Sequence, residues 1–216
     1  MLTVHAADAV YGGPADGVPE GADAVAVDGA TVVAVGAYAE LTAARPAARV
    51  RRWSGLITPG LLNAAAPALL EAAYHPDPRE AGELGTEPLT GAALAALGMD
   101  DARWGASARR GLQRMLRHGT TAVSGPFTRP AVRTAVARSG LRPHAPARSA
   151  GPALLDPLAA LAEPDGPAAL FASALTVGGP ADLAVFGVPD LAALRTEGAG
   201  SCVATVLGGR LVFRRG

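Results

Sequence analysis

Few side chains in this 216-residue chain are suited to chemistry, and most lack the neighbours that chemistry requires. All 19 basic residues are arginine, so there is no Schiff-base lysine, no phosphate-binding loop lysine and no lysine to be carbamoylated between two metals. The four histidines, His5, His75, His118 and His144, are widely spaced, whereas a zinc centre needs three or four convergent donors. His75-Pro76-Asp77 carries two potential ligands. Its proline- and glycine-rich setting predicts an exposed loop instead, and 75–90 is the segment expected to move. His118 falls in the last turn of an arginine-rich helix, where an imidazolium would suit the helix dipole. Cys202 opens the apolar run Cys202–Leu207 and reads as a small buried hydrophobe; alone, it excludes an internal disulfide and a cysteine-rich zinc site. Ser124-Gly125 follows a strand but lacks the Gly-X-Ser-X-Gly pattern of a nucleophile elbow.

The elements that must position these groups fall into three zones. Leu2–His5, Asp23–Asp28, Thr31–Val35 and Arg49–Trp53 read as short strands, with Asp28-Gly29 a hairpin signal. At the other end, Ala181–Phe186, Cys202–Leu207 and Arg210–Arg214 read the same way, with Gly208-Gly209 as a second hairpin turn. Between them, Arg103–His118 places Trp104, Ala108, Leu112, Met115 and Leu116 on one helical face, and Gly119 stops the helix. Strand Thr120–Val123 comes next, then a helix from about Thr128 to Ser139 and a short strand at Leu141–His144. One or two short helices are expected within 146–174. Two β-rich ends most simply pair with each other, which makes the α/β middle an insertion.

On that plan His144 ends a parallel strand, at the edge where α/β proteins place ligands, and Ser124, Thr128 and Arg129 lie on the same edge. A helix N-terminus beside an arginine can hold a carboxylate or phosphate, with Asn63 as a further polar group. Asn63, Ser124, Thr128, Arg129 and His144 are therefore the candidate ligand-binding residues, and a small anion is the candidate ligand.

Three stretches carry a family resemblance. Val27-Asp28-Gly29, Val33–Gly36 and Leu56–Ala64 resemble the opening of the amidohydrolase superfamily, in particular of imidazolonepropionase-like members. Leu175–Phe186 and Gly208–Arg214 resemble its closing strands, and Arg110–Val123 its first barrel helix and second strand. The resemblance implies an α/β protein with a composite β-sandwich domain from residues 1–60 plus 175–216, and a βα-barrel-like insertion from 61–174. It also implies a His-X-His metal pair directly after Asn63-Ala64, but Ala65 and Pro67 stand there. Neither side chain has a lone pair for a metal. Only about 110 residues separate the two β-rich ends, against ~250 for a complete eight-fold βα barrel, so the barrel is truncated.

These readings lead to a non-catalytic amidohydrolase-like protein without metal or cofactor, acting by ligand binding or assembly as a homodimer or with a protein partner. The alternative is a hydrolase of carbon–nitrogen bonds in a small cyclic amide or amidine, with a site rebuilt from His75, Asp77 and His144. A formal charge of +0 gives no electrostatic footprint for nucleic acid or anionic membrane. No apolar run reaches the ~18 residues of a membrane span, no signal peptide is read, and the cytoplasm of a high-GC bacterium is the expected setting.

Overall fold

The computed structural model describes residues 1–13, 18–146, 153–159 and 167–216. In chain order the elements begin with β1 (Leu2–Ala6), β2 (Ala9–Val10), β3 (Ala24–Asp28), β4 (Thr31–Gly36), α1 (Tyr38–Ala44), β5 (Arg49–Arg52) and β6 (Leu56–Pro59). The middle holds β7 (Leu61–Asn63), α2 (Ala66–Glu71), α3 (Ala81–Leu84), α4 (Gly91–Ala95), α5 (Asp101–Leu116), β8 (Thr120–Ser124), α6 (Pro130–Ser139) and β9 (Arg142–His144). The chain closes with β10 (Leu183–Phe186), α7 (Leu191–Glu197), β11 (Cys202–Leu207) and β12 (Arg210–Arg214). The short helices expected within 146–174 lie largely outside the described residues.

Three sheets form, in the orders β4-β3-β1-β5, β12-β11-β10-β6-β2 and β7-β8-β9. The second joins the two chain ends: β6, from the N-terminal part, pairs antiparallel with β10 from the C-terminal part, Ile57 opposite Val185. Alternation along the strands then sorts their side chains. Val25, Val27 and Val32 of the first sheet share one buried cluster with Ile57, Leu183, Val185, Ala204 and Val206 of the second. Val4, Ala6, Ala24 and Ala26 point the other way, onto Leu41 of α1. The far side of the second sheet presents Leu56, Ala184, Phe186 and Cys202 to α7 and to Leu61 of β7. Each large aliphatic or aromatic side chain fully buried here stabilises the fold by roughly 1.5–3 kcal/mol.

The third sheet is wholly parallel, as the helix–strand alternation requires. Helix α5 starts where the Asp100 carboxylate accepts the Arg103 N–H at 2.7 Å, and it buries Trp104, Ala108, Leu112 and Met115. It stops before Gly119, whose positive φ of 72° and close approach to Phe186 Cζ (2.7 Å from a would-be Cβ) leave room for no side chain. Helix α6 ends on Gly140 in the left-handed region.

Asp182 ties the composite sheet to this layer. Its buried carboxylate accepts from Gly208 N–H at 2.7 Å and from Arg142 Nε of β9, while its carbonyl accepts from Gly60 N–H at 3.0 Å. Thr205 Oγ1 donates across the same boundary to Leu116 O at 2.7 Å.

Two expectations are corrected here. His75 is not in an exposed loop: it is fully buried beneath α5, and the 75–90 segment is tied down by paired backbone hydrogen bonds of 2.8 Å between Tyr74 and Leu89. Asp77 caps the short 3-10 turn Pro78–Glu80 through a capping box. His118 lies beyond the end of α5, and burial lowers its pKa, so the neutral ring is favoured there and not the imidazolium. Helices α1 and α7 fill gaps between the predicted strands, where no helix is expected; each is only seven residues long.

Candidate functional site

Parallel pairing brings Asn63, Ser124 and His144 to the C-terminal edge of the three-stranded sheet, with Asn63 opposite Val123 and Ser124 opposite His144. Asn63 is fully buried and already engaged. Its Oδ1 accepts the Ala65 N–H at 2.9 Å, an Asx turn, and its Nδ2 reaches the carbonyls of Leu154 and Leu155 at 3.4 and 3.5 Å. Ser124 Oγ is buried without a hydrogen-bond partner among the described residues. His144 is exposed.

Local chemistry decides the course of the chain after Asn63. Ala65 is the N-cap residue of α2 and Pro67 lies in its first turn, where the preset φ of proline favours a helix start. The chain therefore turns from strand into helix at the position where the resemblance implies two metal-ligating histidines. Helix α2 then carries Glu71 to the start of α6.

Glu71 sets the electrostatics of this edge. Its carboxylate accepts from Thr128 N–H at 2.7 Å, Thr128 Oγ1–H at 3.0 Å and Arg129 N–H at 2.6 Å. The donors singled out in the sequence as an anion cradle thus hold a carboxylate of the chain itself. The Arg129 guanidinium leaves the cradle to lie 4.1 Å over the Trp104 ring. Replacing Glu71 with alanine strips three donors of their acceptor at a helix N-terminus. The expected cost is about 1–2 kcal/mol, read as a lower urea midpoint with an unchanged m-value. An unaltered midpoint would show that water replaces the carboxylate without loss.

His75 stands apart from this edge. Its Nε2 lies 3.0 Å from Leu69 O, so the proton sits on Nε2, while Nδ1 is buried without a partner among the described residues. Burial pushes its pKa down to about 4; the Leu69 carbonyl opposes this, and Arg114 and Arg110 add to it. Asp77 is bound to Arg110 at 3.3 Å. Among the described residues, no three His, Cys, Asp or Glu side chains converge on a point that could hold a metal, and His75, Asp77 and His144 form no such group. The residues present do not fit the metal centre that the resemblance implies.

Sequence reasoning missed Glu71, whose role depends on a partner 57 residues away, and the Arg142–Asp182 pair, whose members are 40 residues apart. No local pattern marks either.

The fold is thus mixed α/β, with a sheet joining both chain ends beside a short parallel sheet. No family model and no curated protein matches the chain. Solved structures do match. Ochratoxinase from A. niger is 17% identical with a TM-score of 0.44, over 67% of this chain and 31% of its own. An amidohydrolase from an environmental sample of the Sargasso Sea is 21% identical with a TM-score of 0.41, over 66% and 33%. An adenosine deaminase from Xanthomonas campestris, with bound zinc, is 23% identical with a TM-score of 0.43, over 65% and 32%. The chain spans about a third of the length of these structures.

Proposed function

We propose that this chain is a non-catalytic, amidohydrolase-like protein that acts by ligand binding or assembly. In this reading residues 1–60 and 175–216 make a composite β-sandwich and 61–174 a truncated barrel layer. One observation carries it: Ala65 and Pro67 begin a helix where the family resemblance calls for the first two metal ligands. The donor chemistry elsewhere supports it. Glu71 is committed to α6, His75 is buried against Leu69 O, and Asp77 is bound to Arg110.

Assembly, as a homodimer or with a protein partner, is motivated by the short parallel sheet, whose outer strand β9 is exposed along its length. Pairing through the backbone of β9 is disfavoured. His144 O accepts from Gly125 N–H, so its polar groups turn toward β8, and the intervening Pro143 has no N–H to offer an outside strand. Any partner is then met through side chains.

The test is metal content and hydrolysis together. Purified protein loaded with zinc, then desalted, is expected to retain well under one metal per chain and to leave small cyclic amides and amidines intact. Stoichiometric metal with chelator-sensitive hydrolysis would establish the enzyme alternative instead.

A further inference from the structure

The unusual electrostatics of this molecule lie away from the candidate site, in a cleft between edge strands of the first two sheets. Strand β5 is the edge of one sheet and β12 the edge of the other. Parallel pairing sets Arg49 beside Thr3 and Arg51 beside His5, and antiparallel pairing sets Thr3 opposite Val27 and His5 opposite Val25. Directly paired residues share a face, and Val25 and Val27 belong to the inter-sheet cluster. Arg49 and Arg51 therefore stand on the face turned toward the second sheet, Arg51 half-buried and Arg49 exposed at the edge. On the other edge Arg214 pairs with Ala204, a residue of that same cluster, so it stands on the facing side, exposed at the strand end.

Between these edges opens a cleft of about 520 Å³, lined by Thr3, His5, Arg51, the Gly208-Gly209 turn and Arg210. Trp53 lies beside it. Its Nε1–H donates to His5 Nδ1 at 3.3 Å, the two rings stack with centroids 6.2 Å apart, and the Arg214 guanidinium lies 5.8 Å over the indole. Among the described residues, none of Arg49, Arg51, Arg210 and Arg214 has a carboxylate within salt-bridge distance. Asp28, at the same end, is paired with the Met1 ammonium at 3.1 Å.

Inward-pointing charges on edge strands discourage edge-to-edge pairing. Crowding like charges is a different matter, because their repulsion opposes folding unless an anion answers it. Arg51 records that repulsion: burial, and then the charges of Arg49 and Arg214, hold its guanidinium below the ordinary arginine range. In a chain whose formal charge is +0, this is a local excess with no acidic side chain of the described residues within salt-bridge distance of it.

We propose that this cleft is a binding site for a small molecule bearing a di- or polyphosphate group, gripped by Arg51 and Arg210, with Arg49 and Arg214 adding positive charge nearby. Two guanidiniums lining one opening, with no carboxylate within salt-bridge distance among the described residues, favour a ligand that concentrates two or more negative charges. The planar fork of arginine matches phosphate oxygens two at a time. The site is independent of whether the barrel layer is catalytic.

Trp53, one of two tryptophans, supplies the readout. Full-length protein is titrated with inorganic pyrophosphate at fixed ionic strength, with tryptophan emission and melting temperature followed in parallel. The expected result is a saturable change in emission that disappears in Trp53→Phe, and a melting temperature that rises with ligand. Arg51→Gln and Arg210→Gln should each weaken binding by about tenfold or more, the loss of a charge-assisted hydrogen bond. Their ligand-free melting temperatures should equal or exceed that of the parent, which a purely structural arginine would not allow. An equal response to chloride at matched ionic strength would reduce the effect to screening and overturn the proposal. So would pyrophosphate binding that survives Arg51→Gln, or a response to citrate with none to pyrophosphate.

Discussion

Lowering the pH from 7 to 4 is expected to destabilise the protein by about 3 kcal/mol through His75 and by a similar amount through His5. Both imidazoles are buried, and burial is the first cause that brings each pKa down to about 4 from an ordinary 6.5. Arg51 adds to the effect at His5, and Arg114 and Arg110 add to it at His75. The unfolded chain takes up these protons near pH 6.5, whereas the folded state refuses them until about 4. Through that window the unfolded state binds more protons, so stability falls as pH falls and levels off below 4. Neither ring is placed to hold a charge: His5 Nδ1 accepts from Trp53, and His75 Nδ1 faces no hydrogen-bond partner among the described residues, with the Glu87 carboxylate opposing the fall at His75 only as its smallest contribution. Urea unfolding at pH 7.5, 5.5 and 4.0 measures the slope. His75→Gln and His5→Gln should each remove their own share of it, whatever they do to stability at pH 7.5. Equal stability at all three pH values would mean that both rings titrate normally and are not buried as described.

The second large effect is expected at Gly209. Two hairpin turns meet at one end of the β layers, and a Cβ on Gly209 would sit 1.7 Å from the carbonyl oxygen of Gly29 and 3.2 Å from Val27 Cγ1. The backbone of one turn is thus in the way of the other, and a backbone cannot rotate aside as a side-chain tip can. Gly209 also has φ of 74°, and its N–H donates to Ala181 O at 2.9 Å. Gly209→Ala should cost about 2–4 kcal/mol, from overpacking together with a strained left-handed alanine. Gly208 is the internal control, with φ of 55° and nothing within 4 Å of its would-be Cβ. Gly208→Ala should cost only about 1 kcal/mol, the conformational part alone. Matching losses in the two variants would show that the turns do not touch.

The same contrast describes what could be foreseen. Gly208-Gly209 and Asp28-Gly29 announce hairpins because positive φ is a local demand, met by the residue itself. Helix α5 is legible for the same reason, since Trp104, Ala108, Leu112 and Met115 repeat at helical spacing whatever they pack against. The alternation of helix and strand through 101–144 led to parallel pairing, which places Ser124 opposite His144. His75 was misjudged because composition around it suggested a loop. Its burial depends on Gly111, where a Cβ would come within 2.6 Å of His75 Nε2, so the missing side chain on α5 opens the space for the ring.

By itself, then, the sequence determined the strands other than β2, β6 and β7, the hairpin turns, the amphipathic helix α5 and the absence of donors at Ala65 and Pro67. Each of these is a property of a residue or of its near neighbours. Only the tertiary structure decided that Glu71 fills the α6 cradle, that Asp182 joins two sheets, and that Arg51 and Arg210 line one opening. Those outcomes depend on register and on contacts between residues dozens to more than a hundred positions apart, which no local periodicity encodes.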